Sequence, residues 1–185
     1  KSFIIKIIVL CLVTIKVSAI EKVILFGDSL MAGYGLPKEQ HLSVVLQNSL
    51  ELEGHNIKII NGSVSGSTSA GGLNIAEWTL SENNIDLMIL CLGANDMLRG
   101  INPKETKNNL EEIIKIAKSK NIKIIIAGMI APTSYGFEYK KSFDKIFSDL
   151  SKKHKLQLIP FLLEGVAQKP EFNLSDGMHP NDQGT

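Results

Sequence analysis

The amino-acid sequence predicts an α/β protein in which helices cover both faces of a five-stranded, mostly parallel sheet. Five short apolar runs with strand character recur along the chain, and segments with helical spacing separate them. Several of these runs are continuously apolar, as is typical of strands that are buried on both faces. Strands that alternate with helices imply right-handed crossovers and hence a mostly parallel sheet. The five runs are 23–26, 57–60, 87–92, 122–127 and 156–159.

Three helices are predicted from stripes of apolar residues that recur every three or four positions, within 42–50, 110–117 and 143–150. The second of these helices has a recognisable start, because Asn102 can cap it and Pro103 suits its first position. A less regular pattern predicts a fourth helix over residues 68–80.

The first nineteen residues have the layout of a secretory signal peptide. Basic residues precede an uncharged apolar run at 7–15, and V-S-A ends at Ala19. The run is shorter than the ~20 apolar residues that a membrane span needs. We therefore expect residues 1–19 to be a signal peptide, residues 20–185 to form one domain, and the protein to be periplasmic or secreted. An uncleaved anchor is the alternative, because Lys16 is untypical so close to a cleavage site.

Charge and residue spacing argue against several classes of partner. The net charge is +1 without a block of like charges, whereas nucleic-acid binding needs a clustered basic face. No cluster has the spacing of zinc ligands, and no glycine-rich phosphate-binding motif follows a strand. Cys91 lies in an apolar run and is predicted to be an unreactive core residue. His41, His55 and His154 are predicted to be solvated.

Polar or glycine-rich clusters follow four of the predicted strands. The first is V-I-L-F-G-D-S-L-M-A-G-Y-G, which contains Ser29 and ends with two further glycines. The others are N-G-S-V-S-G with Gly66, G-A-N-D with Asn95, and D-G-M-H-P with Asp176 and His179. Turn-forming residues end many strands. Four such clusters at the carboxyl edge of one parallel sheet nevertheless predict a functional site there.

The residue types in these clusters are those that acyl transfer requires. Ser29 can act as the nucleophile, His179 as its base, and Asp176 as the group that orients the imidazole. The backbone N–H groups of Ser29 and Gly66 and the side-chain amide of Asn95 can donate to the developing oxyanion. Glycine is expected at position 66 because a side chain there would block the approach of the substrate.

In their order, the four clusters resemble the signature blocks of the SGNH, or GDSL-type, hydrolases. The matching residues are Gly27-Asp28-Ser29, Gly66, Gly93-x-Asn95-Asp96 and Asp176-x-x-His179. Within this family, the chain most resembles the bacterial periplasmic acyl-CoA thioesterase, lysophospholipase and arylesterase group. This resemblance rests on the motifs F-G-D-S-L, G-A-N-D-M-L-R-G and S-D-G-M-H-P-N. The resemblance implies a flavodoxin-like three-layer α/β/α sandwich and hydrolysis through an acyl-enzyme, without metal or cofactor. It also implies that Asp28 is a structural turn residue.

The resemblance further implies a final helix after D-x-x-H-P, which the 185 residues do not include. With only six residues after His179, we expect its loop to be poorly held. The expected substrate is a small-molecule acyl ester or thioester of lipid origin, with transient contact to membrane lipid. Met97-Leu98 and residues 131–137 favour an apolar acyl pocket.

Two alternatives remain open at this point. One is a carbohydrate O-acetyl esterase of the same fold, which would have a polar, shallow acyl site. The other is a truncated, non-catalytic binding domain. The sequence predicts no oligomeric state.

Overall fold

A five-stranded parallel sheet forms the centre of the protein. The computed structural model describes residues 20–81 and 84–185, so the predicted signal peptide lies outside the described residues. The strands are β1 (Lys22–Gly27), β2 (Lys58–Asn61), β3 (Leu87–Cys91), β4 (Lys123–Ala127) and β5 (Gln157–Ile159). Their order is β2-β1-β3-β4-β5, and every neighbouring pair is parallel. The five predicted runs match these strands to within one residue at each end, which confirms the predicted sheet.

The two central strands explain why the apolar runs are continuous. Every residue of β3 is buried, and so are all residues of β1 except Lys22. Side chains on both faces of these strands pack against helices or loops, so neither face needs polar residues. The edge strand β2 is only partly buried, with exposed Lys58 and Asn61 at its ends.

Six α-helices surround the sheet in the part of the chain that the structure describes. They are α1 (Ser29–Ala32), α2 (Leu42–Leu52), α3 (Ser69–Thr79), α4 (Ala94–Leu98), α5 (Pro103–Ser119) and α6 (Phe137–His154). Right-handed crossovers place α2 on one face and α3, α5 and α6 on the other. The helix α5 packs between α3 and α6. Among the described residues no α-helix follows β5, and none is long and apolar enough to cross a membrane.

Side-chain caps start the predicted helices where the sequence indicates. Asn102 accepts a hydrogen bond from the Lys104 N–H (2.9 Å), and Pro103 is the first residue of α5. Thr68 accepts one from the Gly71 N–H (3.2 Å), so the irregular segment 68–80 does contain a helix. These caps satisfy backbone donors that a helix start leaves without partners.

The histidine His154 is not solvated, contrary to the prediction. Its side chain is only 13% exposed, and its Nε2 lies 2.9 Å from the carboxylate of Glu111. The packing of α5 against α6 brings the end of α6 beside Glu111, an interaction between distant segments that residue preferences do not reveal. His55 is exposed as predicted, whereas His41 is half-buried, with its Nε2 3.1 Å from the Leu36 carbonyl oxygen.

The neighbouring strands β1 and β3 form the topological switch point of the sheet. From β1 the chain builds the sheet first toward β2, and from β3 it builds in the opposite direction. Gly27 pairs with Cys91, so both strands end at the same level. The segments that follow them therefore open onto one crevice, the usual location of a ligand in such sheets.

Candidate active site

Ser29 lies directly beyond the carboxyl end of β1, as the first residue of the short helix α1. Asp28 caps this helix, since its Oδ1 accepts a hydrogen bond from the Leu30 N–H (3.1 Å). The Ser29 Oγ lies 2.8 Å from the Nε2 of His179. The structure thus brings the predicted nucleophile and base within hydrogen-bond distance.

The second nitrogen of His179 contacts the third predicted residue. Its Nδ1 lies 2.7 Å from the Oδ2 of Asp176. An ionised carboxylate can only accept a hydrogen bond, so Nδ1 carries the proton and donates it to Asp176. Nε2 is then left as an acceptor for the Ser29 hydroxyl.

Asp176 also organises its own loop. Its Oδ1 accepts hydrogen bonds from the backbone N–H groups of Met178 (2.8 Å) and His179 (3.0 Å). Desolvation acts to raise the pKa of Asp176, but these two bonds and the imidazole outweigh it and lower the pKa to about 2. Asp176 therefore stays ionised at neutral pH.

The His179 loop has more support than the sequence predicted. The Leu174 N–H donates to the His179 carbonyl oxygen (2.7 Å), and Asn173 pairs with Pro180 in an antiparallel bridge. The Asn181 side chain accepts from the N–H groups of Gln183 and Gly184 (2.9 and 3.0 Å) and so caps the turn that follows. These contacts hold the backbone both before and after His179.

Gly66 lies in a tight turn after β2. The Ser67 N–H donates to the Val64 carbonyl oxygen (3.1 Å), and Gly66 has φ of +79°. A positive φ at the third position, with a negative φ before it, defines a type II turn. A Cβ at Gly66 would meet no protein atom within 4 Å. In the protein alone, the backbone conformation rather than crowding is therefore the reason for glycine.

Asn95 lies in the first turn of α4, beyond the end of β3. Its Nδ2 donates to the Oδ2 of Asp28 (3.3 Å) and to the Ser67 carbonyl oxygen (3.2 Å). Both amide hydrogens thus have long hydrogen bonds in the protein alone. Donation to an oxyanion requires that one of these bonds be shared or exchanged.

Arg99, a residue for which the sequence predicts no role, also holds the Gly66 turn. Arg99 is the single arginine of the chain and follows the last residue of α4. Its guanidinium donates to the Gly66 carbonyl oxygen (3.1 Å). Together with the bond from Asn95 to Ser67, it ties two successive carbonyls of the turn to α4. The sequence signal for this role is the arginine in the motif G-A-N-D-M-L-R-G.

Asp96 anchors α4 to the neighbouring helices. It is fully buried and accepts hydrogen bonds from the Ser69 N–H (2.7 Å), the Ser69 hydroxyl and the Thr106 hydroxyl (3.1 Å). Ser69 begins α3, and Thr106 lies in α5. This buried carboxylate therefore fixes the helix that carries Asn95.

Asp28 is buried between the Ser29 and Asn95 segments. Burial raises the pKa of Asp28 to about 6, although the hydrogen bonds from the Leu30 N–H and the Asn95 amide lower it. Its two oxygens bind these two donors. The carboxyl group that contacts the imidazole is that of Asp176.

A largely apolar cavity of about 870 Å³ opens beside Ser29 and His179. This volume lies within the range of small-molecule sites. Its apolar lining includes Met97, Leu98, Met129, Ile130, Phe161 and Leu163. Ala131, Pro132 and Thr133 also line it, so the predicted contribution of Met97-Leu98 and of the start of segment 131–137 is confirmed. Among the described residues, no group of three or more His, Cys, Asp or Glu is placed to hold a metal ion.

The site places a hydroxyl, an imidazole and a carboxylate in series, at the edge of a parallel α/β sheet and beside an apolar cavity. This arrangement is typical of an acyl ester hydrolase. The amino-acid sequence matches the GDSL-like lipase/acylhydrolase family over residues 25–185, and the chain belongs to this family. The resemblance inferred from the four motifs is thereby confirmed. The family and its relatives are hydrolases of the esterase and thioesterase type, and so is this protein.

Three similar proteins illustrate this relationship. An arylesterase of Vibrio mimicus is 38% identical over 165 residues, which cover 89% of this chain and 82% of the relative. The thioesterase 1/protease 1/lysophospholipase L1 of Escherichia coli strain K12 is 31% identical over 172 residues, or 93% and 81% of the two chains. The crystal structure of the psychrotrophic esterase EstA from Pseudoalteromonas sp., inhibited by monoethylphosphonate, has a TM-score of 0.84 and 31% identity. The match covers 88% of this chain and 89% of the EstA chain.

Proposed function

We propose that the protein hydrolyses acyl esters or thioesters through an acyl-enzyme formed on Ser29. The observation that carries this proposal is the series of contacts from Ser29 Oγ to His179 Nε2 (2.8 Å) and from His179 Nδ1 to Asp176 (2.7 Å). The series ends at the wall of the apolar cavity, which Ser29 and His179 both line.

In the first half of the reaction, Ser29 Oγ attacks the carbonyl carbon while Nε2 of His179 takes the hydroxyl proton. The tetrahedral intermediate collapses, the bond to the leaving oxygen or sulfur breaks, and Nε2 returns the proton to that atom. In the second half, Nε2 takes a proton from water as the water attacks the acyl-enzyme. The acid is released, and Ser29 recovers its proton. Asp176 stabilises the imidazolium in both halves.

Three donors are proposed to stabilise the negative charge that develops, and the residues that carry them all line the cavity. They are the backbone N–H groups of Ser29 and Gly66 and the amide of Asn95. The hydrogen bonds from α4 to the Gly66 and Ser67 carbonyls support this role, because they fix the turn before the substrate arrives. Donors that are fixed in advance need no reorganisation as the charge forms.

The cavity supports an apolar acyl group rather than an acetyl group on a sugar. Four apolar or aromatic residues at the cavity are about half exposed: Tyr34, Leu98, Ile130 and Met178. An O-acetyl esterase would instead need a shallow, polar acyl site. The exposed apolar rim also supports transient contact with lipid, from which an acyl chain would enter.

The names of the relatives support both an ester and a thioester as the bond that is cleaved. One relative is an arylesterase, and another is a thioesterase and lysophospholipase.

For location, we propose that residues 1–19 direct export and that residues 20–185 act as one domain in the periplasm or outside the cell. The basic, apolar and small-residue pattern of residues 1–19 supports export.

A chain-length series of p-nitrophenyl esters tests this function. We expect kcat/KM to rise from the acetate to longer acyl chains and hydrolysis to vanish in Ser29→Ala. Ser148→Ala is the matched control, because this serine lies on α6 and donates to the Lys145 carbonyl oxygen. A maximum at acetate would favour the O-acetyl esterase. Hydrolysis that does not depend on Ser29 would contradict the proposed mechanism, and its complete absence in the wild-type protein would favour a binding domain.

A further inference from the structure

The segment G-Y-G, residues 33–35, contributes Tyr34 to the rim of the cavity, and its backbone is unusual. Gly33 and Gly35 have φ of +84° and +74°, a conformation that glycine adopts without strain. A Cβ at Gly33 would lie 2.4 Å from the ring of His41, and one at Gly35 would lie 2.6 Å from the Leu174 side chain. Glycine is therefore needed on both sides of Tyr34, and the two glycines fix where Tyr34 lies.

The Tyr34 ring lies against the face of the His179 ring. The ring centroids of Tyr34 and His179 are 4.5 Å apart, with an angle of 39° between the planes. The edge of the imidazole is occupied at both nitrogens, by Ser29 and by Asp176. Tyr34 adds a contact to its face, and rotation of the imidazole out of the line between Ser29 and Asp176 must disturb that contact.

The same segment also contacts the backbone loop of His179. Leu174 packs into the space that the missing Cβ of Gly35 leaves. The Leu174 N–H donates to the His179 carbonyl oxygen (2.7 Å). The G-Y-G segment, which follows the nucleophile in the chain, thus contacts both the ring and the loop of the base.

We propose that Tyr34 is a positioning residue for His179, an inference that rests on the proposed function. Its aromatic ring keeps the imidazole in line between Ser29 and Asp176. The ring face also favours the imidazolium that forms when His179 takes the serine proton, because an aromatic face attracts a cation. The ring carries this role, and the tyrosine hydroxyl does not.

Substitutions at position 34 separate the ring from the hydroxyl. Tyr34→Phe keeps the ring and should retain kcat to within about twofold. Tyr34→Leu keeps an apolar side chain at the cavity but removes the ring, and should lower kcat about tenfold with little change in KM, because a small misplacement of a catalytic group slows the chemical step. The rate of phosphonylation by a small fluorophosphonate should follow the same ranking, since that reaction needs Ser29 and His179 but no acyl chain.

The experiment measures kcat, KM, phosphonylation rate and melting temperature for both variants and for a control. Trp78→Leu is the matched control, since Trp78 is an aromatic residue of α3 that is 82% exposed. It should behave as the wild type. Wild-type kcat in Tyr34→Leu, a change in KM alone, or an equal loss in Tyr34→Phe would each overturn the proposal. If the wild type lacks Ser29-dependent hydrolysis, the proposed function fails and this inference fails with it. If the wild type is active and Tyr34→Leu is unchanged, only this inference fails.

Discussion

The Oγ of Ser29 lies 2.8 Å from the Nε2 of His179, although 150 positions separate the two residues in the chain. Ser29 follows the central strand β1, whereas His179 follows the edge strand β5. The chain after β5 must therefore return across the carboxyl edge of the sheet to reach the nucleophile. The contacts of Tyr34 with His179 and of Gly35 with Leu174 hold it at that point.

Asn95→Ala should lower kcat by about 10²–10³-fold with a smaller effect on KM, which is the usual loss for one oxyanion donor. The substitution also removes the bonds to Asp28 and Ser67, so the melting temperature is measured alongside. A rise in KM with constant kcat would show instead that Asn95 binds the ground state.

Gly66→Ala tests whether the type II turn orients an oxyanion donor. A positive φ costs alanine roughly 1–2 kcal/mol relative to glycine. The variant can avoid this cost by forming a type I turn, in which the central peptide is rotated and the N–H of residue 66 points away from the proposed oxyanion site. Gly54→Ala is the matched control, because Gly54 also has a positive φ (+83°) and open space, but lies before β2 at the opposite edge of the sheet. Both variants should lose similar stability, and only Gly66→Ala should lose kcat, by up to about 10²-fold. Equal activity in the two variants would contradict this role of the turn.

Asp28→Asn should change how stability depends on pH. Burial raises the pKa of Asp28 from its ordinary value of 3.8 to about 6. In this interval the folded protein retains a proton that the unfolded chain releases, so the wild type loses stability as pH rises through it. The free energy of unfolding of the variant relative to the wild type should thus increase by about 3 kcal/mol between about pH 3 and about pH 7. Chemical denaturation measures it, and a difference that stays constant with pH would show that Asp28 ionises normally.

Asp176→Asn should lower kcat/KM by about 10²–10⁴-fold while the fold persists, because the imidazole loses the acceptor that sets its tautomer and orientation. The pKa of Asp176 is about 2, so its protonation should not limit activity in mildly acidic buffer. Asp182→Asn removes an exposed acid three residues beyond His179 and serves as the control. Activity within a few-fold of the wild type in Asp176→Asn would exclude Asp176 as the group that orients His179.

The sheet and the polar residues at its edge could be predicted because both depend on local patterns. Buried parallel strands are continuous apolar runs, and their carboxyl ends meet at one edge whatever the details of the loops. Ser29, Gly66 and Asn95 each follow such a run within a few residues, whereas His179 comes twenty residues after β5. Ser29, Gly66 and Asn95 follow the neighbouring strands β1, β2 and β3. Their proximity therefore follows from strand order alone.

Other features depend on tertiary contacts that no local pattern contains. The helices α1 and α4 span only four and five residues, too few to show a helical period. The contacts of Tyr34 with His179, of Arg99 with Gly66 and of His154 with Glu111 each join distant segments. Glycine at position 66 could be predicted, but the positive φ that also favours glycine there could not.

In the proposed reaction Ser29, activated by His179, carries the acyl group. The most direct test is to treat the protein with a fluorophosphonate and locate the adduct by peptide mass mapping. We predict one adduct per chain, on the peptide that contains Ser29, with no adduct in Ser29→Ala and strongly slowed labelling in His179→Ala. An adduct on a different residue, or labelling of Ser29→Ala at the wild-type rate, would show that Ser29 is not the nucleophile.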